Sequence, residues 1–493
     1  MVAVASRTAW LAALLLFGGC SATPHSGEPS DASPRVDASG VDATRTDGTP
    51  GDGTPGDGGA PQPLAIDPAN PRYFTGLDGK PILFHGHASN SLNCDGYNDA
   101  HWKWYLDHAS ANGLDLAKLM GFCVDDYDDA TNWHVMAYKR VAGSGSTTFG
   151  HDKIDLDQLE PAFFSHMADI AAYARDRGVY IQVQIWNHLT IKAGAHPWNW
   201  DGSGENPDNT VTDSAKYGFP KTGGNGAPVF YASLDNSTAV GGRTLLDRQH
   251  ELFDAVVNAT KAFPNVFYEL GTEVTTSNSA WAKHWVDRLH TRAPGKLIIV
   301  DTSHYSGDRS FFDGYTVNKV SASDDSVPSA LYALGKMGIE DTDFDCNWAG
   351  SDDAMARRAA WIAVASGVGW TDFRCQDQLL GGLGTQTTSW VHPKVVSQLA
   401  LLSGFFRQRK VPFDQMAPDK SLASGAAAAL AGAGHYVIYS TGSDLTVTLP
   451  SGSYQAEWFD PRTGAASSAG SAAAGSNTYT LPSADDWVLH IHP

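Results

Sequence analysis

The sequence predicts a (β/α)8 TIM barrel followed by a small all-β sandwich domain, and three observations carry that expectation. An amphipathic helix that ends at Gly or Pro is followed at once by a short apolar run, and this unit recurs in series. Strand candidates of this kind fill residues 64–410, and parallel strands need helical crossovers between them. From residue 411 the pattern changes to short alternating strands separated by Gly, Ser and Pro turns.

Composition narrows the function classes. The 493 residues carry 34 Lys+Arg against 54 Asp+Glu, a net charge of −20. A general nucleic-acid binder is excluded, because neutralising phosphate needs clustered Lys and Arg. Only 18% of the residues are charged, while Gly (50) and Trp (15) are abundant. That mixture suits a loop-rich extracellular protein handling neutral, hydroxylated ligands.

Residues 1–19 read as an export signal. Arg7 supplies the positive charge, Ala9 to Phe17 the apolar run, and Gly18-Gly19-Cys20 a small-residue processing site. The apolar run is shorter than the ~20 residues of a membrane span. The segment resembles a bacterial lipoprotein signal, with Phe17 where that motif usually has Leu. The resemblance implies cleavage before Cys20, lipidation of its thiol, and an outer-membrane or cell-surface location; plain secretion is the alternative. Membrane contact is then expected only through the lipid at Cys20. Residues 20–63 form a low-complexity spacer, with Asp-Gly-Thr-Pro-Gly at 47–51 and again at 52–56. Its Pro and Gly, and its near lack of aromatics, cannot offset the entropy of ordering.

The barrel elements follow in order. Pro81 to His85 opens the series of strands. Helix 98–112 stops at Gly113 before strand 114–119, and helix 161–177 stops at Gly178 before strand 179–185. Helix 244–262 precedes strand 266–270, and helix 278–292 precedes strand 297–300. Strands at 315–320, 336–339 and 368–371 complete eight. No Gly-rich nucleotide loop follows any of them, and no cofactor is expected. Beyond residue 410, strands are expected at 435–439, 445–449, 453–459, 478–481 and 487–491. Such a module either binds glycan or packs against the barrel. A monomer is expected.

Besides Cys20 there are four cysteines, Cys94, Cys123, Cys346 and Cys375, and three pairings are open to them. In a barrel each follows a strand: the first, second, seventh and eighth. Neighbouring strands have neighbouring loops, which favours Cys94–Cys123 and Cys346–Cys375, both at the C-terminal rim. A zinc site is disfavoured by the lack of any Cys-x-x-Cys pair.

Two acidic residues stand at strand ends. Phe267-Tyr-Glu-Leu-Gly-Thr-Glu273 ends the fourth strand and Gly338-Ile-Glu340-Asp-Thr-Asp343 the seventh. Two carboxyl groups facing one pocket could cleave a glycosidic bond, one donating a proton and the other attacking the anomeric carbon. This pattern resembles the clan-A (β/α)8 glycoside hydrolases, and more narrowly apiosidase-like, cellulase-like bacterial barrels with a C-terminal collagen-binding-type β-sandwich. Asp78-Gly-Lys-Pro-Ile-Leu83, Arg357-Arg-Ala-Ala-Trp361, Ser366-Gly-Val-Gly369, Ala417-Pro-Asp419 and Trp458-Phe-Asp-Pro-Arg-Thr-Gly464 carry the narrower likeness. The resemblance implies Glu273 as acid/base, Glu340 as nucleophile, and retention of anomeric configuration. Thr272 stands where the clan usually has Asn, and Lys118 where it commonly has Arg. Glu269, in mid-strand, reads as a buried hydrogen-bonded residue rather than a catalyst.

Further residues at strand ends fit a sugar pocket: His87, Asn90, Trp186, Asn187, His188, His304, Tyr305 and Trp370, together with Lys118. Aromatic faces stack on sugar C–H surfaces, and amide or imidazole groups bond hydroxyls. Trp198 and Trp200 are candidates for a subsite wall; Asp125 and Asp126 either bind sugar or face water. Two rival readings stand beside the hydrolase. His85-Gly-His87 resembles the His-x-His metal pair of amidohydrolase barrels, with His304 and Asp372 as further ligand candidates, and a carbohydrate-binding lipoprotein without turnover is the other.

Overall fold

Parallel strands buried on both faces read as near-continuous apolar runs, and the runs found in the sequence are where the strands form. In the computed structural model, residues 61–87, 92–94, 99–121, 136–195, 199–319, 322–342, 353–372 and 393–493 are described. The export signal, most of the spacer, Cys20, Asn90, Cys123, Asp125, Asp126, Trp198, Cys346 and Cys375 lie outside them. All described residues belong to one unit, Pro55–Pro493.

The central sheet is parallel and contains, in spatial order, Leu116–Met120, Tyr180–Asn187, Val266–Thr272, Ile298–Asp301, Gly314–Val317, Met337–Thr342 and Gly369–Asp372. These are strands two to eight of the barrel. Strand one is reduced to a bridge at His85, which pairs in parallel with Trp370. Gly86 N donates to Trp370 O (2.8 Å), and Asp115 N and Leu116 N donate to His85 O (2.8 and 3.2 Å), so this short segment closes the ring on both sides. The expected strand at 81–85 is therefore split. Pro81–Ile82 instead forms the edge of a three-stranded antiparallel sheet with Phe74–Thr75 and Ala65–Ile66. Proline has no N–H to give an interior ladder, which confines it to an edge. That small sheet plugs the N-terminal mouth: Leu64, Phe74 and Ile82 join Phe84, Phe267 and Ile339 in one buried cluster.

The crossover helices obey local signals. Pro161–Arg175 begins with Pro after Glu160. Leu245–Thr260 starts at a reciprocal capping box between Thr244 and Asp247, and Ser279–Arg292 at Asn278, whose side chain accepts from Trp281 N. Gly178 takes φ 69° where the chain turns from helix into strand three, a conformation an L side chain resists.

Beyond residue 416 the expected small all-β module forms, as one antiparallel sheet curled on itself. The long strand Leu445–Phe459 bends, with its register broken between Leu449 and Ser453. Pro450, which cannot donate to a ladder, lies in that break. The half before the bend pairs with Ala423–Ser424 and the half after it with Trp487–His492, while Ala466–Tyr479 runs beside both halves. A single strand thus serves two layers. In His435–Ser440, Tyr436 and Ile438 point into the module's own core, whereas Val437 and Tyr439 join the barrel core. Tyr439 stacks on Trp361 of helix Asp353–Ala365 (centroids 6.0 Å, 12° between planes). Beneath it Arg357 Nε and Nη2 donate to Asp486 at 2.9 and 2.7 Å, and Tyr439 Oη donates to the same carboxylate at 2.8 Å. Burial alone would raise Asp486, but the guanidinium and the phenol hold its carboxyl below the usual range. The module packs on the barrel, as one of its two expected roles requires.

Candidate functional site

Alternation along each strand decides which side chains face the barrel axis. On strand seven Met337 and Ile339 belong to the axial cluster at the plugged end, so Asp341 is the next axial residue. On strand two Leu116 is axial and so is Lys118. The two meet: Lys118 Nζ lies 2.6 Å from both carboxylate oxygens of Asp341. Lys118 is 2% exposed and the Asp341 side chain 15%. Burial, with Asp301 and Asp372 adding repulsion, raises the Asp341 carboxyl, and Lys118 opposes that shift.

Glu269 on strand four occupies the same axial space. Its Oε2 accepts from Gln182 and Gln184 Nε2 (2.7 and 2.8 Å), and its Oε1 from Thr316 Oγ1 (2.8 Å). Burial pushes its carboxyl up to about 7, with Asp341 contributing in the same direction and Lys118 against it. The expectation of a buried, hydrogen-bonded Glu269 agrees with this geometry.

Glu340, the expected nucleophile, does not share that axial face. It stands one position before Asp341, pairs in register with Val317 and Trp370 rather than with axial residues, and is fully buried. A one-residue offset in a strand sends a side chain to the opposite face. The strand-seven carboxylate on the axis is therefore Asp341. Glu273, by contrast, is at the rim. It follows strand four with φ 48°, its side chain is 20% exposed, and its Oε2 lies 3.6 Å from Lys192 Nζ. Gly271, two residues earlier, runs so close to strand three that an added Cβ would sit 2.0 Å from Trp186 O.

His188 and His304 belong to this rim. His188 Nδ1 is 2.9 Å from Tyr231 Oη, and burial, with repulsion from Lys192 and His304, pushes its imidazole down to about 4. It is neutral at neutral pH. His304 Nδ1 is hydrogen-bonded to Asp301 Oδ2, and its side chain is 28% exposed. Asn187 Nδ2 lies 3.6 Å from Met120 Sδ of strand two.

Other expected sugar contacts are packing residues. Trp186 lies among Phe230, Phe253, Trp281 and Trp285 and is 3% exposed. Trp370 and Tyr305 are fully buried, and Tyr305 Oη donates to Asp308 O at 3.1 Å. Trp200 is equally buried, its Nε1 bonded to Pro220 O. Lys118 is committed to Asp341. The aromatic candidates misled because large apolar rings fill the layer between strands and helices as readily as a rim.

The His-x-His rival does not assemble. His87 is fully buried, with Nδ1 2.7 and 2.8 Å from the Asp372 carboxylate oxygens. Among the described residues no group of three or more potential metal ligands comes together. Cys94 is buried and disulfide-bonded. Sequence reasoning missed the Lys118–Asp341 pair and the part played by Gln182, Gln184 and Thr316. The signal was available in the period-two register of strands two, three, six and seven.

Fold and site together define a (β/α)8 barrel whose C-terminal mouth holds one rim carboxylate and one axial carboxylate–lysine pair. Solved structures share this architecture. A glycoside hydrolase aligns with TM-score 0.61 and 14% identity over 87% of this chain and 97% of its own. A glycoside hydrolase family 5 structure from Bacteroides vulgatus aligns with TM-score 0.60 and 14% identity over 87% and 93%. Residues 416–492 match the family described as "Putative collagen-binding domain of a collagenase". No curated protein sequence matches the chain.

Proposed function

We propose that the protein is a glycoside hydrolase that cleaves O-glycosidic bonds of an oligosaccharide or polysaccharide with retention of configuration. The observations that carry this reading are Glu273 at the rim of strand four, beside Lys192, and Asp341, held by Lys118 on the axial face of strand seven. Glu273 donates the proton to the leaving oxygen and then, as base, takes one from water. Asp341, whose ionised form Lys118 favours against the effect of burial, attacks the anomeric carbon and is released when that water displaces it. His188, neutral beside Lys192, and His304 offer hydrogen bonds to sugar hydroxyls. The glycoside hydrolase fold of the structural neighbours supports the reading, and the lipoprotein-like N-terminus supports export and surface anchoring.

The test is a glycan hydrolysis screen with the wild type and the Glu273→Gln, Asp341→Asn and Glu340→Gln variants. Losing a positioned proton donor costs on the order of 10²–10⁴ in rate, and loss of the nucleophile should be at least as severe. Glu340→Gln should keep most activity if it folds. Full activity in Asp341→Asn would remove that residue from the mechanism. NMR of the first-formed product reads the anomeric configuration, and an inverted product would overturn retention.

A further inference from the structure

A second concavity lies beside strands five and six, separate from the axial carboxylates. It has a volume of about 290 Å³ and is walled by Thr302, Arg309, Val317, Lys319 and the helix Ser326–Tyr332 with the residues just after it. That is near the small end of the ~300–1,000 Å³ range of small-molecule sites. Its floor is apolar, from Val327, Ala330, Leu331 and Leu334, and Leu334 is 43% exposed although it is a large hydrophobe.

Among the described residues that line it, the charged ones, Arg309 and Lys319, are both cationic. No carboxylate among the described residues lines the concavity, in a chain whose net charge is −20. Among the described residues Arg309 donates Nε and Nη2 to the backbone carbonyls of Tyr305 and Thr302 and to no carboxylate, which orients the guanidinium without neutralising it. Lys319 makes no ion pair among the described residues, and Thr302 and Ser326 line the same concavity. Thr302 directly follows Asp301, and Lys319 lies just past the end of strand six, so both stand at the end of the barrel that carries Glu273 and Asp341.

We propose that this concavity binds an acidic sugar residue, one carrying a carboxylate or a sulfate group. The anion would take charge-assisted hydrogen bonds from Arg309 and Lys319, Thr302 and Ser326 would bond ring hydroxyls, and the apolar floor would meet a sugar C–H face. It deepens the glycoside hydrolase reading by naming the substrate class as an anionic glycan. Binding at this site does not depend on turnover, however.

Calorimetric or NMR titration of the full chain with glucuronic acid, a sulfated hexose and glucose tests it. The acidic sugars should bind at least about tenfold more tightly than glucose, the worth of one charge-assisted bond; which of the two binds better identifies the anion. Lys319→Glu, an exposed substitution that leaves the fold alone, should abolish that preference, and Val327→Trp should block binding by filling the space. Glu273→Gln should leave the affinity unchanged. Equal affinity for glucose and both acidic sugars, or binding untouched by Lys319→Glu, overturns the proposal. Acidic-sugar binding without hydrolysis of any glycan would uphold this site while removing the catalytic reading.

Discussion

Replacing Glu269 by Gln should change how stability depends on pH, because this carboxyl is protonated far more readily in the folded protein than in the unfolded chain. Its folded value of about 7 stands against an ordinary 4.5. The native state therefore holds the proton more tightly. The stabilisation is fully present below pH 4.5, declines as pH rises, and is gone above about 7. The gap corresponds to roughly 3 kcal/mol. The variant is shape-conserving, and Gln182 and Gln184, which donate Nε2 to Glu269 and leave Oε1 without a partner, can accept the new amide N–H by turning their amide groups over. Guanidinium unfolding of both proteins from pH 4.5 to 8 provides the assay, since the wild type-minus-variant difference cancels the titrating groups that do not interact with Glu269. The wild type should lose on the order of 3 kcal/mol relative to the variant across that interval. A difference independent of pH would refute the assignment of a raised carboxyl to Glu269.

Lys118→Met removes the counter-ion of Asp341, so the carboxyl should rise further. The acidic limb of kcat/KM should move to higher pH, and stability at pH 7 should fall by about 3–5 kcal/mol; an unchanged pH–rate profile would contradict the ion pair's role. Asp486→Ala leaves Arg357 charged and buried at the junction with the C-terminal module. It should cost about 3–5 kcal/mol in denaturant unfolding, and a change below 1 kcal/mol would show that water reaches that guanidinium.

Much of the fold could be read from the chain because its punctuation is local. Gly178 and Pro264 fix where helices yield to strands, and the strands at 180–187 and 266–272 begin within a residue of expectation. What escaped was set by non-local geometry. Glu340 and Asp341 are adjacent acids at one strand end, and only the pairing of strand seven with its neighbours shows which of them faces the axis. Trp186 and Asn187 pose the same ambiguity, settled by the aromatic cluster that takes in the indole. The bend at Pro450 was visible as a break between two strands, but nothing nearby in sequence shows that both halves are one strand shared by two layers.

The strand His435–Ser440 has no side that belongs to water: one row of its side chains fills its own module and the other reaches the barrel helices. Cutting the gene near codon 410, the natural choice for isolating a catalytic fragment, would uncover Trp361, Phe405 and Phe459's former seat, and strand Arg357 without its acid. Such a fragment should clump when expressed. The tail behaves less like an appended accessory than like a keel, and swapping it between relatives would require carrying helix Asp353–Ala365 along with it.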